Sequence, residues 1–219
     1  MQSIIPKVPS ANSINKSYLP RIAYLVGFEF TLIKDDLTQP PKSATLPSGK
    51  TGALPAMVLC HGYPSGGIDA RHSAGTFPEL AERVANELGW NAMTFTFRGC
   101  ATSEGDFSMQ GWVDDLRAAI THIVAETSPS GIWIVGNNTG GSLGLCVAAD
   151  DPRVNGCALL GARADFDDWA EQPRRFLEHS REIGTIRRTG FPPSVEEWGR
   201  ELKRFRPADA ARRFAPRPL

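Results

Sequence analysis

The chain has 219 residues, of which 41% are hydrophobic and 22% are charged, as is typical of one soluble globular domain. Its 24 basic and 24 acidic residues give a formal net charge of zero, so overall charge favours neither nucleic acid nor an anionic membrane as a partner. No apolar stretch has the length of a membrane span or the pattern of a signal peptide, and a cytoplasmic location is expected by default.

The N-terminal part of the chain contains few structural signals. Residues 1–20 are polar, with scattered Pro and Asn, and we expect them to form a loose leader. Residues 22–33 are rich in aromatic and β-branched side chains and are interrupted at Gly27, which predicts a pair of strands joined by a tight turn or bulge. Residues 40–55 form a Pro/Ser/Gly connection.

A regular alternation of strands and helices follows. Short apolar runs without polar alternation are typical of parallel strands buried on both faces, and segments with helical periodicity separate them. The predicted strands are 56–60, 90–97, 131–135 and 154–160, and the predicted helices are about 80–88, 110–126 and 143–149. This order predicts a doubly wound α/β fold with a mostly parallel sheet.

Two of these helices have apolar residues at helical spacing. Leu80, Val84 and Leu88 follow one another at i+4 in the first helix. The corresponding residues of the second helix are Trp112, Leu116, Ile120 and Ile123.

The alternation stops after the core, which we place at residues 21–163. Residues 164–214 have a mostly helical pattern and are interpreted as a helical cap. Residues 215–219 are interpreted as the start of a missing C-terminal part, because a Pro-rich linker with an apolar residue usually introduces a strand. The apolar edge at 154–160 would then lack a neighbour, so we expect a missing C-terminal segment, a second chain or the cap to cover it.

The cap contains many arginines and two tryptophans. Ten arginines lie between residues 174 and 213, evenly mixed with glutamates. This mixing favours an ion-paired, solvated face over an anion site. Trp169 and Trp198 are equally consistent with an acyl pocket and with the core of the cap.

No metal or cofactor is expected. Cys60, Cys146 and Cys157 lie in apolar segments, and none of the four cysteines has CxxC or metal-ligand spacing, which predicts small, buried, reduced side chains. The three aspartates between residues 165 and 168 are interpreted as a helix-start cluster, not as metal ligands.

The most informative segment is Gly136-Asn137-Asn138-Thr139-Gly140. A strand ends at its first glycine, a helix begins near its second, and both glycines lie two positions from the central residue. This pattern is typical of a nucleophile elbow, in which a strained residue stands at the end of a strand and at a helix N-terminus. The helix dipole there favours negative charge beside the central residue.

Together with two other segments, the elbow resembles the α/β-hydrolase superfamily, in particular esterases and serine-aminopeptidase-like hydrolases. The resemblance covers about residues 56–219. The stretch His61-Gly62-Tyr63 is similar to the family's oxyanion loop, and Phe97-Arg98-Gly99 through Ser103-Glu104-Gly105 is similar to the segment after the next strand, although Ala101 replaces a common glycine.

The resemblance implies a site and an activity class. It implies an oxyanion hole formed by the backbone N–H groups of Tyr63 and Thr139. The supporting residues that it implies are His61, Gly62, Gly136 and Gly140. It also implies hydrolysis of an ester, thioester or amide bond in a small-molecule substrate, without a cofactor.

The sequence departs from the family at the nucleophile position. Asn138 stands where the family has serine, or sometimes cysteine or aspartate. A carboxamide has no ionisable group and no useful nucleophilicity, so acyl-enzyme chemistry is not available at this position. Deamidation of Asn138 to aspartate would create a carboxylate nucleophile, and this remains an alternative.

Ser142 is a second candidate nucleophile. Gly140-Gly141-Ser142-Leu143-Gly144 also fits the pattern GxSxG, but it begins four residues after the strand and lies within the first helical turn. A serine there usually accepts a bond from a free helix N–H, so we expect a structural role and retain nucleophilic attack as the alternative.

The partners of a hydrolase triad are also missing from their expected places. In the family, the acid and the histidine follow two later strands, and this chain ends before them. None of its histidines, which are His61, His72, His122 and His179, has the position of the triad histidine. Only His179, in the cap, remains as an alternative base.

The sequence leaves three functional hypotheses open. The first is a hydrolase of ester, thioester or amide bonds, and the second is a pseudoenzyme in which Asn138 hydrogen-bonds an acyl or carbonyl ligand or the site binds a protein partner. The third is a truncated copy without a function of its own.

Overall fold

A computed structural model describes residues 53–64, 70–73 and 75–219, and the backbone of 23–25 and 28–29. The predicted leader and most of the 40–55 connection lie outside the described residues. Six strands are described, and they form one sheet. They are β1 (Ala23–Leu25), β2 (Phe28–Glu29), β3 (Ala56–Cys60), β4 (Asn91–Phe95), β5 (Ile132–Asn137) and β6 (Val154–Leu160).

The sheet has the order β2-β1-β4-β3-β5-β6. Strands β4, β3, β5 and β6 are parallel to one another, and β1 is antiparallel to both β4 and β2. The predicted N-terminal strand pair and the doubly wound, mostly parallel sheet are therefore confirmed. Parallel strands end at one edge of a sheet, and ligand sites of open α/β sheets lie outside that edge.

Seven α-helices are described. They are α1 (Phe77–Arg83), α2 (Met109–Thr127), α3 (Asn138–Asp150), α4 (Asp167–Glu171), α5 (Pro173–Glu182), α6 (Val195–Leu202) and α7 (Pro207–Phe214). A π-helical turn, Val84–Leu88, continues α1, and Ala70–His72 form a 3₁₀ turn. Helices α2 and α3 share the larger core with Val58 and Ile134, whereas α1 packs on Leu59 and Ala92. No helix among the described residues is long and apolar enough to cross a membrane.

The i+4 row of apolar residues in the first helix is only partly buried. Leu80 is 40% exposed and Leu88 is 56% exposed, whereas Ala81 and Val84 are buried. Ala81 and Val84 are spaced i+3 and pack against Leu59, so this pair determines which face meets the sheet. Leu80 is rotated from Ala81 by about 100° and points away. For α2 the prediction is confirmed, since Trp112, Leu116, Ile120 and Ile123 are all buried.

The predicted bounds of the elbow are wrong, since the sequence predicts a strand that ends at Gly136 and a helix that begins near Gly140. Strand β5 continues through Gly136, which pairs with Cys60, to Asn137, which pairs with Leu160. Helix α3 begins at the next residue, Asn138. The chain therefore changes from strand to helix at a single residue and without an intervening loop.

A buried carboxylate joins the cap segment to the core. Asp106 accepts hydrogen bonds from the backbone N–H groups of Arg187 and Arg188, at 2.6 and 3.0 Å, and from the Arg188 guanidinium. Burial alone would raise the pKa of Asp106, but these hydrogen bonds and the Arg188 charge outweigh it and hold the pKa below its usual value. The Arg187 guanidinium donates to the carbonyl oxygens of Gly99 and Ala101.

The arginines of the cap are largely paired, as the even mixing of charges predicts. Arg174 pairs with Glu196 and Arg206 with Asp167, in each case between two elements. Other pairs are Arg200–Glu197, Arg212–Asp209 and Arg213–Asp150. Because most of these side chains are solvent-exposed, each pair contributes little stability.

The edge of β6 is partly covered by the last residues of the chain. The Cys157 N–H donates to the Pro218 carbonyl oxygen at 3.0 Å. The Arg217 guanidinium donates to the carbonyl oxygens of Asp151 and Val154, both at 2.9 Å. Residues 217 and 218 thus lie against the edge that the sequence predicts to be unpaired, while α7 packs along α3.

One buried ion pair fixes the loop after β4 to α2. The fully buried carboxylate of Asp115 accepts from the backbone N–H of Arg98 at 2.8 Å and from its guanidinium at 2.7 and 3.0 Å. Trp112 Nε1 donates to the Arg98 carbonyl oxygen at 3.0 Å. Removal of the Asp115 carboxylate leaves the backbone N–H and the guanidinium of Arg98 without this acceptor.

We predict that Asp115→Ala lowers the free energy of unfolding by about 3 kcal/mol, because it breaks a buried, hydrogen-bonded ion pair. The matched control is Asp114→Ala, which removes the exposed neighbouring carboxylate and should change stability by less than about 0.5 kcal/mol. Urea unfolding measures both variants. Equal losses of stability in the two variants would contradict a specific role for the buried Arg98–Asp115 pair.

Candidate functional site

Asn138 lies at the carboxyl end of β5 in a strained backbone conformation. Its φ of +48° is in the left-handed region, which asparagine tolerates better than most residues other than glycine. The same residue is the first of α3, so its side chain lies beside a helix N-terminus. This is the geometry of a nucleophile elbow.

Glycines permit the close packing around the elbow. A Cβ at Gly140 would lie closer than 3.0 Å to the carbonyl oxygen of His61, and a Cβ at Gly136 would overlap the backbone of Gly141 in the same way. A Cβ at Gly62 would lie 2.9 Å from the Cβ of Asn138. The loop after β3, the end of β5 and the start of α3 therefore touch through backbone atoms.

His61 anchors this loop to the end of β4. Its Nε2 accepts from the Phe97 N–H at 3.0 Å, which leaves Nδ1 to donate to the Gly62 carbonyl oxygen at 2.9 Å. Burial lowers the pKa of His61 to about 4, so the ring is neutral at neutral pH. Both ring nitrogens are occupied, and His61 is therefore a positioning residue and not a base.

Ser142 lies in the second turn of α3 and is completely buried. Its Oγ donates to the Asn138 carbonyl oxygen at 3.1 Å and accepts from the Arg163 N–H at 2.8 Å. The prediction that Ser142 accepts from a free helix N–H is wrong. The N–H that donates to it belongs to Arg163, in the segment after β6. The reason is that α3 starts at Asn138, which moves Ser142 out of the first turn.

Tyr63 connects the predicted oxyanion loop to the cap. Its hydroxyl donates to Ser180 Oγ at 2.8 Å and lies 2.9 Å from Thr185 Oγ1. Burial raises the pKa of Tyr63 to about 12, so the hydroxyl stays protonated. Its ring lies 5.1 Å from that of Trp169. Sequence patterns give no signal for these side-chain contacts, because Tyr63 and Ser180 are far apart in the chain.

Thr139 follows the elbow residue and is buried. Its Oγ1 lies 3.3 Å from Asn138 Oδ1 and donates to it. Its backbone N–H is in the first turn of α3, where N–H groups have no acceptor within the helix. This is the environment that an oxyanion donor requires, and the position at which the sequence predicts one.

A cavity of about 210 Å³ opens over the elbow. It is lined by Tyr63, Pro64, Asn138, Arg163, Trp169, Phe176 and His179. Of the residues predicted from the sequence, it therefore brings together Asn138, Tyr63, Trp169 and His179. Ser142 and Trp198 are instead buried in the core.

Two basic side chains from the segments after β6 line this cavity. Nδ1 of His179 lies 4.0 Å from Glu182 Oε2. The Arg163 guanidinium lies over the Trp169 ring, 5.0 Å from its centroid, and pairs with Asp168. The sequence does not single out Arg163 as a site residue, since it shares no motif with the elbow.

The described residues contain neither a cluster of metal ligands nor an exposed thiol. Among them, no group of three or more His, Cys, Asp or Glu side chains is arranged to hold a metal ion. All four cysteines are buried, and burial raises the pKa of Cys100, Cys146 and Cys157 to about 12. These thiols are therefore protonated and poorly nucleophilic at neutral pH.

Comparison with known families agrees with this geometry. A family model described as the alpha/beta hydrolase fold matches residues 55–187, which include the elbow, the predicted oxyanion loop and part of the predicted cap. The chain belongs to the α/β-hydrolase fold family.

Solved structures give further likenesses. An alpha-beta serine hydrolase homologue from Coxiella burnetii is 23% identical, with a TM-score of 0.42, over 52% of each chain. Est1E from Butyrivibrio proteoclasticus, solved with ferulic acid, is 17% identical, with a TM-score of 0.48, over 69% of this chain and 53% of its own. XC6422 from Xanthomonas campestris, a serine hydrolase without a lid, is 22% identical, with a TM-score of 0.44, over 78% and 87%.

The first two of these comparisons cover only about half of the other protein's length. A search of curated proteins found no match.

We predict that Gly140→Ala lowers the free energy of unfolding by about 2 kcal/mol or more, because the new Cβ collides with the His61 backbone. Gly190→Ala is the matched control, since a Cβ there meets nothing within 4 Å, and it should change stability by less than about 0.5 kcal/mol. Chemical denaturation tests both. A neutral effect of Gly140→Ala would mean that this backbone contact is not a constraint.

Proposed function

We propose that the cavity over Asn138 binds a small molecule with an acyl or carbonyl group and does not attack it covalently. The observation that carries this proposal is the residue at the elbow. Asn138 has the backbone conformation and the position of a hydrolase nucleophile and lines the cavity, but its carboxamide cannot form an acyl-enzyme.

The neighbouring groups offer no replacement nucleophile. Ser142 is buried, and its Oγ is held between the Asn138 carbonyl oxygen and the Arg163 N–H. The described residues that line the cavity include no serine, cysteine or carboxylate. The Tyr63 hydroxyl, which also lines it, is hydrogen-bonded to Ser180 and stays protonated. The remaining group that could take part in catalysis is the His179 ring.

The same cavity has the features that a carbonyl ligand needs. The Thr139 N–H in the first turn of α3 and the N–H of Tyr63 are the two donors expected to meet a carbonyl oxygen. The rings of Trp169 and Phe176 stack at 4.1 Å and offer an apolar wall for an acyl or aromatic group. Aromatic walls with a few polar donors are typical of small-molecule sites.

Hydrolysis of an ester, thioester or amide is the second candidate, with water as the nucleophile. The observation that favours it is the position of His179, which lines the cavity beside Glu182. In this mechanism His179 takes a proton from water, the water oxygen bonds to the carbonyl carbon, and the leaving group departs with the proton. Asn138 would then only hold the substrate. Binding by a protein partner has no comparable contact in its favour.

Ligand-observed NMR with methyl benzoate separates these functions. We expect saturable binding to the full chain, with the ester intact and no methanol released above the rate in buffer, since in this proposal neither Asn138 nor an activated water attacks the ester. Release of methanol that His179→Gln abolishes would favour hydrolysis and contradict the first proposal.

Matched variants on one helix locate the binding. His179→Trp should fill the cavity and abolish binding, whereas Arg174→Trp, at an exposed position of the same helix, should leave it unchanged. Retention of binding by His179→Trp would place the ligand elsewhere. Absence of binding to the unmodified chain would overturn the proposal.

A further inference from the structure

The side chain at the nucleophile position presents a hydrogen-bond donor to the cavity. Thr139 Oγ1 donates to Asn138 Oδ1 at 3.3 Å, so the carboxamide oxygen already has a partner. The other polar group of the carboxamide, Nδ2, only donates, so it is the group of Asn138 that suits an anionic ligand. In a hydrolase the side chain at this position attacks a carbonyl carbon. Here the side chain at the same position offers an N–H to an oxygen of the ligand.

Further positive charge surrounds the same point. Helix α3 has 13 residues, and its N-terminus carries about half a positive charge. The Arg163 guanidinium lines the cavity, and the described lining contains no carboxylate. The chemistry of the described lining therefore favours an anion over a neutral ligand.

The existing ion pair of Arg163 leaves it able to bind a ligand. Its Nη2 pairs with Asp168 and its Nε donates to the Asp165 carbonyl oxygen at 3.3 Å, while Nη1 has no acceptor among the described residues. The Asp168 side chain is 59% exposed, and such pairs are weak. A guanidinium has five N–H groups, enough to keep Asp168 and meet a second carboxylate.

The size and walls of the cavity restrict the rest of the ligand. Its volume of about 210 Å³ is below the roughly 300–1,000 Å³ of typical small-molecule pockets. Trp169 and Phe176 form a stacked apolar wall. A planar ring or a short acyl chain fills such a space, whereas a long chain does not.

We infer that the cavity selects a small monocarboxylate, with an aromatic ring or a short acyl chain, over a neutral carbonyl compound of the same shape. The carboxylate accepts from Asn138 Nδ2 and the α3 N-terminus, and Arg163 recognises its charge. The inference rests on the proposed function, because it concerns the ligand class of the same non-covalent site.

Calorimetric titration of the full chain with benzoate and benzamide tests this inference. The two probes have the same shape and differ in charge. We expect benzoate to bind about tenfold more tightly, as charge-assisted hydrogen bonds do relative to neutral ones. Benzamide binding equal to or tighter than that of benzoate would overturn the inference and leave the proposed function intact. Failure of both probes to bind would overturn the two together.

Two variants assign the selectivity to residues. Arg163→Gln should remove most of the preference by weakening benzoate about tenfold and leaving benzamide unchanged, and Arg174→Gln is the exposed control that should alter neither. Asn138→Asp places a negative charge at the elbow without a change in size and should weaken benzoate more than benzamide. Unchanged benzoate binding in both site variants would refute the assignment, and Asn138→Asp decides the question if Arg163→Gln does not fold.

Discussion

The site depends on the reversal of the chain at Asn138. Strand β5 is paired with β3 up to Gly136 and with β6 up to Asn137, and α3 starts at the next residue. The change of direction is therefore made by the left-handed backbone conformation of the single residue Asn138. The reversal is possible because Gly136 and Gly140 let the neighbouring backbones touch. It places the N-terminus of α3 and the side chain of Asn138 at the same point of the sheet edge.

The surrounding contacts hold this point rigid from three directions. His61 bonds the loop after β3 to Phe97, and Ser142 bonds α3 to the segment after β6 through Arg163. Tyr63 bonds the same loop to Ser180 in the cap. None of these bonds involves the Asn138 side chain, so the scaffold of the site is separate from its chemistry. The scaffold has the α/β-hydrolase fold. In our proposal the Asn138 carboxamide makes the site bind a small molecule without covalent attack.

The sequence predicts the scaffold well because its signals are local. The apolar run at β3 and the spacing of Trp112, Leu116, Ile120 and Ile123 determine burial directly, and glycines two positions from Asn138 mark the elbow. The apolar run at β6 does not, because this strand lies at the edge of the sheet and Leu160 is 58% exposed. The spacing of the leucines in α1 does not give its buried face either, because Ala81, a small residue, sets the contact with the sheet.

The cavity residues that follow β6 are not predictable in this way. Arg163 and Phe176 reach the cavity through tertiary packing, and neither shares a motif or a spacing with the elbow. The bond from Arg163 to Ser142 likewise joins segments that only the folded chain brings together. Sequence patterns therefore identify the elbow and the asparagine at its centre, whereas the charge and shape of the cavity come from long-range contacts.

We propose that the elbow lacks covalent chemistry because it holds Asn138. Labelling of the unmodified chain with a fluorophosphonate, read by intact mass and with an active serine hydrolase as positive control, decides this point. We expect no adduct, because Ser142 is buried and doubly hydrogen-bonded and Asn138 has no nucleophilic oxygen. An adduct that maps to Ser142 would show that the elbow does carry a nucleophile.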